Sequence, residues 1–131
     1  MVYIFLANGL EDIEAIATID ICRRAEIEVK TVSITGSLDV ETAHGIKLKA
    51  DMEFGFCDFS DATMLVLPGG LPGAQYLNDH EGLREVILSH YEKGLRECGL
   101  DFLIRLCDYY NVSSDYILGR TADRTGTVIS V

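Results

Sequence analysis

Met64-Leu65-Val66-Leu67-Pro68-Gly69-Gly70 reads as a buried strand brought to a hard stop, and this stretch decides the fold class. Four consecutive apolar residues suit a strand covered on both faces, and Pro-Gly-Gly extends neither a strand nor a helix. Such a strand needs companions, and the sequence before it supplies them. Residues 2–7 form another apolar run, ended by Asn8-Gly9. Residues 11–24 carry apolar side chains at 13, 16, 17, 19 and 21, acids in the first turn and Arg23-Arg24 in the last. That charge order suits a helix dipole. Residues 27–34 are rich in β-branched residues and run to Gly36, which predicts a further strand. Residues 40–50, with Gly45 inside, predict a small antiparallel excursion. Residues 81–93 predict an amphipathic helix with Leu83, Val86, Ile87 and Tyr91 on one side, stopped by Gly94. Alternating strands and helices imply right-handed crossovers, hence an α/β fold with a parallel sheet and flanking helices.

After Gly94 the pattern changes. Residues 100–110 predict a helix with Leu100, Leu103, Ile104 and Cys107 inward, and 112–119 a short one capped by Ser113 and closed by Gly119. Residues 127–131 are a β-branched run that predicts a last strand. The expected organisation is therefore an α/β segment, 1–94, with a helical tail, 95–131, packed on it as one compact unit. The tail has two expected jobs: its helices cover an open sheet face, and its strand pairs beside residues 64–67, whose free edge is otherwise an aggregation hazard.

The chain has 131 residues, 48 % hydrophobic and 24 % charged, which suits one soluble domain and excludes wholesale disorder. No apolar run approaches the roughly 20 residues of a membrane span. Residues 1–7 lack a basic leader, so they read as a strand rather than an export signal, and the expected location is cytoplasmic. Eleven basic residues against twenty-one acidic ones leave a net charge of −10. That field repels nucleic acid and anionic membrane. The four cysteines (Cys22, Cys57, Cys98, Cys107) have no close C-x-x-C spacing, which predicts free thiols. The three scattered histidines (His44, His80, His90) give no metal-site spacing, so neither a metal nor a cofactor is expected.

Residues 1–94 resemble the first half of the ThiJ/PfpI superfamily. The stretches that carry the resemblance are residues 3–14, Arg23-Arg24-Ala25, Ala43-His44-Gly45-Ile46, and Val66-Leu67-Pro68-Gly69-Gly70-Leu71-Pro72-Gly73-Ala74. The resemblance implies a truncated flavodoxin-like (Rossmann-like) sheet. In the family, a cysteine on a sharp strand-to-helix turn follows shortly after the counterpart of Lys93-Gly94. Here the chain continues Leu95-Arg96-Glu97-Cys98-Gly99, without an apolar strand before the cysteine. Residues 89–121 resemble instead the C-terminal part of phage-repressor (Xre-type) helix-turn-helix regulators, and Tyr91-Glu92-Lys93-Gly94 suits both families, as in a chimera.

Glu14 is the sharpest candidate for chemistry. The resemblance implies that it stands beside the family's nucleophilic thiol and shares a proton with it, while an ordinary first-turn acid would only favour the helix dipole. The backbone of Gly69 and Gly70 corresponds to the family's oxyanion-hole loop, although glycines also simply permit a turn. Cys22 is expected in the core. Cys57 is expected in a loop whose acidic neighbours raise its pKa, and Cys107 on the inward face of a tail helix. Cys98, between Glu97 and Gly99, is the weak candidate for a substitute nucleophile, and His90 is expected at the surface. The leading expectation is a non-catalytic ThiJ/PfpI-like protein, Glu14 being a vestigial acid, that forms a homodimer. One alternative is glyoxalase, deglycase or amidase-type chemistry through Cys98, which would admit a small carbonyl compound as substrate. Another is a small DNA-binding regulator, against which the tail's four arginines face five acids.

Overall fold

The computed structural model describes residues 1–92, apart from the Tyr91 side chain. Four short strands, β1 (Val2–Leu6), β2 (Val29–Ser33), β5 (Met52–Glu53) and β6 (Met64–Val66), form one sheet in the order β5-β2-β1-β6. All its pairings are parallel, with Val2 opposite both Val29 and Met64. The helix α1 (Asp12–Arg24) connects β1 to β2, and β3 (Asp39–Glu41) pairs antiparallel with β4 (Lys47–Lys49) as the expected excursion. Helices α2 (Gly73–Asp79) and α3 (Glu81–Glu92) follow β6.

β1 lies in the middle of a three-layer arrangement, and all five of its residues are buried. Successive side chains leave a strand on opposite faces. Val2, Ile4 and Leu6 accordingly join Leu10, Ala15, Cys22 and Val40 on the α1 side. Tyr3, Phe5 and Ala7 join Val32, Leu77 and Leu83 on the other, where Phe54 and Phe59 add an aromatic wall. Phe54 and Phe59 have ring centroids 5.2 Å apart. Each fully buried side chain of the size of Phe5 or Leu83 contributes about 1.5–3 kcal/mol gross, so the double-sided burial of one strand organises the whole segment.

The parallel sheet, α1, the antiparallel excursion and α3 follow the sequence expectation. Three details depart from it. In α1 the buried side chains are Asp12, Ala15 and Cys22, whereas Ile13 is 73 % exposed. β5 and α2 carry no signal in the sequence: a two-residue strand has no readable period, and Pro72-Gly73 looks like turn chemistry. Gly73 nevertheless starts a helix because its N–H meets the carbonyl of Gly9 at 3.3 Å and Ala74 donates to Gly70 O at 2.7 Å. Among the described residues β6 pairs only with β1, and no helix is long and apolar enough to cross a membrane. The predicted helices at 100–110 and 112–119 and the strand at 127–131 lie outside the described residues.

Candidate functional site

The C-terminal ends of parallel strands are where ligands of open α/β sheets bind, at the point where the chain's direction of progress across the sheet reverses. Here that point falls between β1 and β6, and Glu14 and Gly69 meet there. Glu11 is the N-cap of α1, and its Oε2 accepts the N–H of Glu14 at 2.9 Å. In an ordinary capping box the residue at Glu14's position would return the favour to the N-cap N–H. Here the peptide of Gly69 is inserted instead. Glu11 N–H donates to Gly69 O at 2.9 Å, and Gly69 N–H donates to Glu14 Oε2 at 2.5 Å. The opened capping box thus clamps the loop after β6 to the start of α1, and no described residue donates to Glu14 Oε1.

The loop can approach this closely only because it lacks side chains. A Cβ on Gly69 would sit 2.6 Å from Glu14 Oε2, and one on Gly70, whose φ is +88°, 2.4 Å from the Glu11 nitrogen. The structure therefore brings Glu14 and Gly69 into contact and packs Gly70 against Glu11. The Gly69 N–H is already donated to Glu14, so any oxyanion taking that N–H has to displace the carboxylate. Glu14 itself is exposed, as is the adjoining Leu71.

A second cluster beside it escaped sequence reasoning. Asp12 is buried, and its Oδ1 accepts a very short hydrogen bond from the Thr42 hydroxyl while its Oδ2 meets His44 Nδ1 at 2.6 Å. The Thr42 hydroxyl also accepts the Ile46 N–H at 3.0 Å. The Thr42 and His44 bonds hold the Asp12 carboxyl below its ordinary range, and the Asp12 bond and charge raise the His44 imidazole. Glu11, Asp12 and His44 bring ligand atoms within 4.8 Å of one another, a set able to hold a metal ion. Each is nevertheless committed: Glu11 Oε2 to the Glu14 N–H, and Asp12 to Thr42 and His44. Thirty-two residues separate Asp12 from His44, so only the β3–β4 hairpin could reveal the pair. The available signal was the polar Thr42 and His44 at a hairpin turn.

Neither described cysteine belongs to this site. Cys22 is buried among α1-side core residues, and burial pushes its thiol up. Cys57 packs on the opposite face of the sheet, with its thiol donating to Glu53 O at 3.2 Å. Its pKa is raised as expected, but by burial rather than by acidic neighbours. Cys57 also lines a hollow of about 470 Å³ with Phe54, Phe59 and His90. His90, expected at the surface, is half-buried there. Cys98 and Cys107, and the repressor-like stretch beyond residue 92, lie outside the described residues.

Comparison with known proteins identifies the family and the fold. Over 86 residues the chain is 36 % identical to Protein DJ-1 homolog A of Arabidopsis thaliana, which is 66 % of this chain and 22 % of that protein. It is 29 % identical over 85 residues to the Parkinson disease protein 7 homolog of Danio rerio, covering 64 % of this chain and 45 % of that one. The structure of oxidized DJ-1 from Toxoplasma gondii superposes with a TM-score of 0.68 at 31 % identity, covering 71 % of this chain and 50 % of that chain. The chain thus spans half or less of the length of these relatives. Residues 1–98 match the DJ-1/PfpI family, and to that family the chain belongs.

Proposed function

We propose that this chain is a DJ-1/PfpI protein in which Glu14 and the Gly69-Gly70 loop form a carboxylate-and-amide cradle without a paired thiol, and that it does not carry out cysteine-dependent catalysis. The observation that carries this reading is the Glu14–Gly69 bond itself. One carboxylate oxygen, Oε2, is taken by a backbone N–H, while both described thiols are buried or half-buried elsewhere and pushed up by that burial. Thiolate is the reactive form, and a nucleophilic cysteine needs a group that stabilises it. We also propose that the protein works as a homodimer, since Ile13 and Ile46, at 73 % and 45 % exposure, leave apolar surface on α1 and on the hairpin that is tied to it. The proposed setting is the cytoplasm, with neither nucleic acid nor membrane as partner, which suits a net charge of −10.

One observation favours a second reading. The family match runs through Cys98, so this thiol is the one that would pair with Glu14 in glyoxalase, deglycase or amidase-type chemistry on a small carbonyl compound. A single experiment separates the two. The full chain is treated with limiting iodoacetamide near neutral pH, the modified cysteines are mapped by mass spectrometry, and methylglyoxal consumption is followed in parallel. We expect no preferential labelling and no consumption above the protein-free rate. Selective labelling of Cys98 that Glu14→Gln abolishes, with turnover of methylglyoxal, would replace the first reading by the second.

A further inference from the structure

We infer that Asn8-Gly9 is a covalent modification site, at which succinimide formation is gated by the β3–β4 hairpin. An asparagine followed by glycine is the pair in which the next backbone nitrogen most readily reaches the side-chain amide, because glycine has no Cβ to obstruct it. The structure shows why the fold retains this labile pair. Gly9 has a φ of +78°, and a Cβ there would lie 2.5 Å from Pro72 Cδ, so the position admits only glycine. Asn8 is exposed, and its Oδ1 accepts the Glu41 N–H at 3.0 Å, which anchors the first strand of the hairpin to the end of β1.

Both reacting groups are held by the same hairpin residue. The Asn8 amide is bound to Glu41 N–H, and the Gly9 N–H donates to Glu41 O at 2.8 Å. The clamp continues along the chain: Ala43 N–H donates to Leu10 O at 2.8 Å, and Thr42 and His44 hold Asp12. With the hairpin closed, the Gly9 nitrogen is engaged as a donor and the Asn8 side chain is turned to Glu41. When it opens, the Gly9 nitrogen attacks Asn8 Cγ and forms a C–N bond. The side-chain nitrogen leaves as ammonia, taking up the proton that Gly9 gives up, and a five-membered succinimide remains. Water then opens the ring at either carbonyl, leaving aspartate at position 8 or an isoaspartyl linkage.

Either product adds a negative charge beside Glu41. The isoaspartyl form also lengthens the backbone between β1 and α1, the connection that sets Glu11 and Glu14 against Gly69. The modification thereby reports hairpin opening and disturbs the carboxylate cradle, whether or not that cradle is catalytic.

The test uses the full chain incubated in heavy-oxygen water at mildly alkaline pH, followed by peptide mapping for label at residue 8 and an isoaspartate assay. Labelling of the folded protein should be at least about tenfold slower than in urea, because opening must precede reaction. Thr42→Val combined with His44→Ala, which removes the hairpin's side-chain hold on Asp12, should accelerate it about tenfold. Asn8→Gln should abolish it. If that double variant does not fold, wild-type labelling in urea below the unfolding midpoint takes its place and should rise before global unfolding. Equal rates in folded and unfolded chain, no label even in urea, or a rate indifferent to both hairpin loosening and sub-denaturing urea would overturn the inference.

Discussion

Replacing Gly73 by alanine tests whether the loop after β6 is placed by backbone-to-backbone contact. Gly73 begins α2 directly against the β1–α1 connection. An added Cβ would lie 2.6 Å from the Leu10 nitrogen, 2.7 Å from Leu10 Cα and 2.9 Å from the Gly9 carbonyl carbon. None of these atoms can move by changing a rotamer, so the start of α2 must back away from β1 and carry Gly69 with it. Overpacking of a tight site costs about 1–3 kcal/mol, and a clash with three backbone atoms belongs at the upper end. At about 4 °C per kcal/mol, where the ranges for smaller and larger domains meet, 3 kcal/mol lowers the Tm of this 131-residue chain by about 12 °C. Two other glycines supply the controls. Gly36 has open space but a φ of +78°, so its alanine variant should lose about 1–2 kcal/mol from the dihedral alone. Gly55 has open space and no such φ, so Gly55→Ala should stay within about 0.5 kcal/mol of wild type. Thermal and urea unfolding followed by circular dichroism should rank the three variants in that order. If Gly73→Ala melts with Gly55→Ala, the close approach of Gly9, Leu10 and Gly73 does not hold the loop, and the account of how Gly69 reaches Glu14 fails.

Two further outcomes follow from the charged and phenolic groups. The lowered Asp12 carboxyl stabilises the fold above the ordinary carboxylate pKa and loses that effect as pH falls through its depressed value. The raised His44 imidazole stabilises it below about 6.5 and loses that effect as pH rises through its elevated value. The latch is therefore strongest between about pH 4 and 6.5, and the urea midpoint of His44→Gln should lack the loss that wild type shows on the alkaline side of this window. Tyr3 donates to Asp61 Oδ1 at 2.7 Å, and burial, followed by that bond, pushes its phenol up to about 12. Tyr3→Phe should remove one component near that pH from the tyrosinate absorbance titration and cost about 1 kcal/mol in unfolding free energy.

The local pattern determined the parallel sheet, because apolar runs such as residues 2–6 and 64–67 suit strands covered on both faces; in the structure β1 is buried throughout, whereas β6, paired only with β1 among the described residues, is half-buried and Leu67 beyond it is exposed. It also determined Gly69-Gly70 as a loop and Glu14 as an acid in the first turn of a helix, since turns and dipoles are written in neighbouring residues. What only tertiary structure decided is which distant groups meet. The insertion of Gly69 into the capping box of α1 joins residues 55 positions apart. The Asp12–Thr42–His44 latch joins a helix start to a hairpin, and Ile13 is exposed in spite of its place in an apolar helix pattern. Period and propensity report the side a residue faces within its own element. The partner on that side depends on how strands and connections stack, and this is fixed by three-dimensional packing rather than by any window of sequence.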